Sequence, residues 1–432
     1  MIDLKTEKWA EELLGRIYEK EKTVVERNSD KIPYTSGNGV FDDWSDRIGW
    51  WTNGFWAGQL WQLYDMFGEA GFKRTAQGIE QKLEANLLDY NGMDHDAGFR
   101  YQHTSVASYL LTGDERSKNR ALLAAANLAG RINIKAGLFR AWNDNGSGDR
   151  AGWAIIDCMM NLPLLYWASK ELHDPRFGQL AMLHADTDPR VFIREDGSSA
   201  HIVSFDPEDG AVLETFGGQG YKTGSAWTRG QAWALNGFVQ SYLHTKKELY
   251  LHTACRAADY FISNIPENGR IPVDFMQPEE PGYVDMTAAA IAACGLIELS
   301  GIFAAGDSQV EDAGSKGGGA TAQTVDAGSK GGGAAAQDVN AGIPRPRLKT
   351  ASCSARALEA EAGKRYLDAA VRLLHALEED CSWEKDADHF LKSCTAAYHD
   401  REHEFPIIYG DYYFTEALCK LCGKDIYRRL LI

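Results

Sequence analysis

The sequence predicts an all-α fold: twelve helices in six antiparallel hairpins, closed around a central cleft. Three observations carry that expectation. Apolar residues recur with helical period along most of the 432-residue chain, and strand-like alternation is nearly confined to Ser199–Phe205. Short turns carrying Gly, Asp or Asn join most neighbouring helices, as at Thr112-Gly113-Asp114 and Leu172-His173-Asp174-Pro175. No repeat period runs through the chain, as an open solenoid would require, so closure is favoured.

The helices are expected near 3–27, 53–67, 70–88, 99–112, 115–133, 152–170, 174–193, 226–245, 247–264, 283–303, 356–379 and 409–430. Longer segments at 28–52, 89–98, 134–151, 194–225 and 265–282 would then crowd one mouth of the cleft. They hold many of the Trp, Asp, His and Gly residues, and loops on a rigid scaffold are where sites usually form. Residues 304–352 stand apart. They are rich in Gly, Ala, Ser, Asp and Gln, and the run Asp312–Gln323 nearly repeats at Asp326–Gln337. Such a composition cannot offset the entropy of ordering, so it is expected to be a flexible insertion in one catalytic domain spanning 1–432.

Composition narrows the function. The net charge of −16 opposes nucleic acid and anionic membranes, so neither is expected as a partner. An acidic small ligand would need local cations. No apolar stretch is expected to reach the roughly 20 residues that span a bilayer. The first residues lack the basic and apolar regions of a signal peptide, which makes the expected location cytoplasmic. Eight scattered cysteines, Cys419 and Cys422 among them, are expected to be reduced core thiols.

Three clusters could carry chemistry. In Gly152–Leu164 the chain is apolar all round except for Asp157 and Asn161, so that helix is expected to be buried. Trp153, Asp157 and Asn161 are spaced four apart and would share one face. Burial should raise the pKa of Asp157, as a general acid near neutral pH requires. The plainer alternative is an Asp bonded to a neighbouring loop. Asp94-His95-Asp96 supplies a second carboxylate cluster, with helix capping as the alternative for Asp96. Arg229 and Trp233 lie four apart, where an Arg fork could hold a carboxylate beside a stacking ring. The alternative there is a structural Arg–Asp pair with a core Trp. The glycines at 217, 218 and 220 suggest close backbone approach. His399 and His403 have metal-ligand spacing, but their surroundings look like a solvated loop, and no metal is expected.

Together these clusters resemble the unsaturated glucuronyl hydrolases, glycoside hydrolase family 88. The resemblance rests on Trp50-Trp51-Thr-Asn-Gly-Phe-Trp56-Ala-Gly-Gln-Leu-Trp61 and on Asp94-His-Asp96-x-Gly-Phe99. It extends through Asp157-x-x-x-Asn161, Gly-Gly-Gln219-Gly, Trp227-x-Arg229-Gly-Gln-x-Trp233 and Ile408-Tyr-Gly-Asp-Tyr-Tyr413, leaving out only 304–352. It implies an (α/α)6 barrel and hydration of the C4=C5 double bond of a terminal Δ4,5-unsaturated glucuronic acid, with no cofactor. By the resemblance, Asp157 is the general acid/base and Asp96 the second essential carboxylate. His201, Gln219, Arg229, Trp233, Trp50 and Trp142 match pocket positions, and His399, or else His403, matches a C-terminal pocket histidine. The implied partner is an unsaturated uronic-acid disaccharide or oligosaccharide, bound by a monomer or weak homodimer. Some family members that prefer sulfated substrates carry a Ser-x-x-Ser-x-Lys pattern where this chain has Ala396–Phe405, so a preference for sulfate is not implied. The rival readings are an unsaturated rhamnogalacturonyl hydrolase, an inverting glycosidase, a sugar isomerase or epimerase on the same barrel, and a non-catalytic scaffold.

Overall fold

A computed structural model describes residues 2–144, 150–311 and 353–431. Seven inner helical segments form six rods: α2 (Phe55–Phe67), α4 and α5 (Ala97–Tyr101, Ala107–Thr112), α7 (Leu162–Leu172), α9 (Thr228–Thr245), α11 (Met286–Glu311) and α13 (Ile408–Leu421). A π-helical turn at Gln102–Val106 joins α4 to α5. The outer helices are α1 (Leu4–Asn28), α3 (Ala70–Leu83), α6 (Glu115–Ala129), α8 (Pro175–Val191), α10 (Glu248–Ser263) and α12 (Cys353–Asp380). Each inner rod packs on its inner neighbours, and α13 packs on α2, which closes the ring as an (α/α)6 barrel.

Residue pattern sorts the two rings. Outer α10 buries Tyr250, Thr253, Ala254, Ala257, Ala258 and Phe261, one stripe at helical spacing. Inner α13 is buried at every position. Because outer and inner helices alternate along the chain, every inner rod starts at the same mouth. The connections that precede the inner rods therefore meet there.

Several expectations need correction. Residues 152–170 are not one helix. After four two-residue strands, β1 (Ser36–Gly37), β2 (Val40–Phe41), β3 (Ile132–Asn133) and β4 (Leu138–Phe139), Trp153–Ile155 is strand β5, Ile156–Met160 is a 3-10 turn, and α7 begins only at Leu162. Pro163 explains the break, since it fits the first turn of a helix and not the interior. Trp153 therefore does not share a helix face with Asp157. β5 pairs with β6 (Ile202–Phe205), which pairs with β7 (Val212–Phe216), with Trp153 opposite Ser204 and Ile155 opposite Ile202. The helix expected at 115–133 ends at Ala129, and that expected at 409–430 ends at Leu421 before a 3-10 turn at Ile426–Leu430. α11 runs to Glu311, past the expected start of the insertion at 304. The remainder of 304–352 lies outside the described residues. Met286–Ala304 is, against expectation, long and apolar enough to cross a membrane, with 19 residues at a mean hydropathy of 1.8. Most of it is buried inside the barrel, where an inner rod has no polar face.

Candidate active site

Asp157 is positioned by the small sheet. Ile155 pairs with Ile202, and the Ile156 N–H donates to the His201 carbonyl at 3.1 Å, so Asp157 and His201 leave their strands side by side. Asp157 is 8% exposed. Its Oδ1 is buried with no hydrogen-bond partner. Burial pushes its pKa up to about 7, and the Asp96 charge pushes it the same way. A partnerless buried carboxyl oxygen is rare in folded proteins and calls for a functional reason.

His201 lies with Nε2 4.0 Å from Asp157 Oδ1, and Nε2 is also buried without a partner. His201 Nδ1 meets the Gln219 N–H at 2.9 Å and the Gly217 carbonyl at 3.2 Å; the shorter contact favours Nδ1 as acceptor, with the hydrogen on Nε2. Burial holds the ring neutral, lowering its pKa to about 3. The backbone at Gly218, with φ +56°, lets the chain pass under this ring. A Cβ there would lie 2.1 Å from His201 Nδ1. The close approach expected of the glycines is thus real.

Asp96 starts α4 but makes no side-chain cap. Asn161 caps instead, accepting the Phe99 N–H at 2.8 Å, while its amide donates to Asp96 Oδ1 at 3.3 Å. Gly98 permits that crossing, because a Cβ would stand 2.5 Å from Asn161 Cα. His95 Nε2 is 3.3 Å from Asp96 Oδ1, and His95 Nδ1 meets the Ala141 carbonyl at 2.9 Å. A carbonyl only accepts, so Nδ1 carries the hydrogen. Burial keeps His95 neutral, which leaves Nε2 as a lone pair facing Asp96. A protonated Asp96 completes that bond, and burial raises the Asp96 pKa well above the usual range. Asp94, His95 and Asp96 bring potential ligand atoms within 4.8 Å of one another. Arg100 already pairs with Asp94 at 3.0 Å, and a protonated Asp96 is a poor ligand, so the trio suits proton handling better than a metal ion.

The structure gives Arg229 a different task from the expected one. It is 1% exposed and donates to Asp285 at 2.5 Å, to the Thr395 carbonyl at 2.7 Å and to the Ala396 carbonyl. The structural Arg–Asp pair is the reading the geometry bears out, and Asp285 is the partner. Arg229 still acts on the site by field, since its charge lowers the Asp157 pKa. Trp233 is fully buried against Phe99 and Tyr413, a core ring and not an open platform. Gln219 spends its amide N–H on the Ala396 carbonyl at 2.8 Å, fixing the loop above Arg229.

Trp142 stands edge-on to His95 at 5.6 Å. Trp50 packs against Trp44 and Tyr34, and its Nε1 has no partner. His399 is exposed and bonds the Tyr221 carbonyl at 2.8 Å, whereas His403 stacks flat on Tyr283 at 3.6 Å. Both lie in a loop, so their spacing is not that of one helix face. The seven described cysteines are all free thiols. Sequence reasoning missed His95, which was in view beside Asp96, and Asp285, which has no local signal.

No family model matches the chain. Over 407 residues it is 31% identical to the unsaturated glucuronyl hydrolase of Bacillus sp. (strain GL1), covering 92% of each chain. It is 33% identical over 258 residues to the unsaturated chondroitin disaccharide hydrolase of Streptococcus pneumoniae (strain ATCC BAA-255 / R6), covering 58% of this chain and 63% of that one. A solved structure of an unsaturated glucuronyl hydrolase variant with dGlcA-Glc-Rha-Glc superposes with a TM-score of 0.76 at 29% identity, covering 94% of this chain and 95% of that one.

Proposed function

From the premise that the chain belongs to the unsaturated glucuronyl hydrolase family, we propose that it releases a terminal Δ4,5-unsaturated glucuronic acid from lyase-generated oligosaccharides by hydrating the C4=C5 bond. The observation that carries the mechanism is the unpartnered Asp157 carboxyl with its pKa near 7. In its neutral form Asp157 transfers its proton to C4, and the enol-ether oxygen shares the positive charge that develops at C5. The Asp157 carboxylate then takes a proton from water as the water oxygen bonds to C5. The C5 hemiketal so formed opens by breaking C5–O5, which leaves a ketone at C5 and a hemiacetal at C1; the hemiacetal then collapses to an aldehyde, its hydroxyl proton passing to the glycosidic oxygen as the C1–O bond breaks, and the chain is released as an alcohol beside a keto acid. Asp157 ends protonated, as it began.

His201 Nε2–H and Asp157 Oδ1 face each other at 4.0 Å, too far for a direct hydrogen bond. One oxygen about 2.8 Å from each would complete both, which suits the attacking water. Asp96 supports a second task. With its proton held toward His95, it keeps acceptor capacity for a sugar hydroxyl and does not place a second full charge beside Asp157. The chain would act as one catalytic domain, as a monomer or weak homodimer, in the cytoplasm; its free thiols support a reducing compartment.

The test follows the loss of the enoate's ultraviolet absorbance across a panel of lyase-generated disaccharides. Unsaturated glucuronyl substrates should lose it, and saturated ones should stay intact. Cleavage of a saturated glycoside at comparable rate would sink the hydration mechanism in favour of a conventional glycosidase. Turnover confined to rhamnogalacturonan fragments would move the substrate assignment.

A further inference from the structure

Resting on that function, we infer that Arg150, framed by Trp142, Trp153 and Phe216, is an outer subsite that selects an anionic group on the part of the substrate beyond the released sugar. An enzyme that removes a terminal residue takes that residue deepest, and the rest of the chain must leave through the mouth. A line of rings marks one such exit. Trp142 stands against His95 at 5.6 Å, Trp153 against Trp142 at 6.2 Å, and Phe216 stacks on Trp153 at 4.9 Å. The line begins beside Asp96 and runs out to strand β7, whose Val212 and Leu213 are exposed. All four members, Arg150 included, are partly exposed.

Arg150 sits over this line. Its guanidinium carbon is 5.9 Å from the Trp142 ring and 5.7 Å from the Trp153 ring. Among the described residues its guanidinium makes no ion pair; Asp144 Oδ1 accepts the Arg150 backbone N–H at 2.8 Å and pairs with Arg140 at 2.9 Å. Glu214, on the same strand as Phe216, forms no ion pair with it either. A cation held over two indoles, its guanidinium in no ion pair among the described residues, fits a sulfate or carboxylate oxygen on a sugar stacked against the same rings. Arg47, over Trp44 at 4.4 Å, is a second ring-bound cation and serves as the control.

The sources of the anion separate by experiment. KM and kcat are measured for wild type, Arg150→Ala, Arg150→Lys and the control Arg47→Ala. The substrates are a neutral unsaturated disaccharide, the same disaccharide sulfated on its reducing-end sugar, and a tetrasaccharide carrying a second uronate. Arg150→Ala should raise KM about fivefold for whichever anionic substrate uses the subsite, the size of a partly screened charge contact, with kcat unchanged. The neutral disaccharide should be unaffected, Arg150→Lys should recover most of the loss, and Arg47→Ala should change nothing. A selective effect on the sulfated disaccharide identifies sulfate, and one on the tetrasaccharide identifies the uronate. Equal KM values for wild type and Arg150→Ala on all three would overturn the inference, as would a uniform fall in kcat. Turnover of the neutral disaccharide by wild type tests the function itself, separately from the subsite.

Discussion

Asp157 and Asp411 are alike in nearly every respect that a carboxyl can be described by. Both are buried, and burial pushes both from the usual carboxylate range to about 7. They differ in what their oxygens do. Asp411 accepts the Phe390 N–H at 3.0 Å and the Leu391 N–H at 2.8 Å, tying the preceding loop to α13. Asp157 Oδ1 accepts nothing and lies 4.0 Å from His201 Nε2. A raised pKa therefore marks burial, and an idle oxygen is not enough by itself, since both oxygens of Asp188 on α8 are idle too; what sets Asp157 apart is an idle oxygen set beside His201 and Asp96.

The sharpest way to break this comparison is to remove both charges. Asp157→Asn should lower kcat about 10³-fold, the scale of a lost general acid, while Asp411→Asn should leave kcat per folded molecule within a few-fold. Steady-state kinetics on the two variants decides it, and equal losses would dissolve the distinction. The next effect concerns stability. As a fork that only holds a substrate carboxylate, Arg229 would matter more for binding than for stability. With Asp285 left buried and unpaired, Arg229→Ala should instead cost about 3–5 kcal/mol in urea unfolding. Asp411→Asn should cost about 2 kcal/mol, because one backbone N–H loses its acceptor.

Asp157→Asn should move the other way at high pH. A carboxyl whose folded pKa lies above its unfolded value of about 3.9 contributes full stability below pH 4. That contribution is lost as pH rises through the folded value near 7. Above pH 8 the Asn variant should therefore be more stable than wild type by about 1–3 kcal/mol, measured as a shift in unfolding midpoint. In wild type the same ionisation should make turnover fall as pH rises past 7. A rate still climbing at pH 9 would remove Asp157 from the acid role. Gly218→Ala should show the smallest effect. It strains a φ of +56° and crowds His201, costing about 1–2 kcal/mol, with a fall in kcat larger than any change in KM.

The helices were legible because their apolar periodicity is long and the turns between them are chemically plain. The ring closure was legible only by elimination, as the absence of a repeat. What failed was local. Residues 152–170 carry the apolar content of a helix, yet the strand at Trp153–Ile155 is set by pairing with Ile202–Ser204, some fifty residues away. The π turn at Gln102–Val106 has no sequence signal short of its packing on α2. At the site, Asp157 and Asp96 could be picked out because charges in apolar runs are conspicuous. The partner of Arg229 could not, since Asp285 lies just before α11 while Arg229 is on α9, and only the closed ring brings the two together.

Closure has one more consequence. α1 rests on α13, and the Cys422 thiol reaches the Glu7 carbonyl at 3.9 Å, so the first and last rods meet at the end of the barrel away from the site. Glu311 and Cys353, which bracket the longest inter-helix connection, are reached from that same end, because α11 starts at the mouth and runs away from it. Topologically the barrel is a circle with its cut placed on the far rim. Linking the start of α1 to the segment after α13 and reopening the chain between 311 and 353 would give a circular permutant in which every mouth loop keeps its two flanking helices. For this fold, where the polypeptide starts is independent of where its chemistry happens.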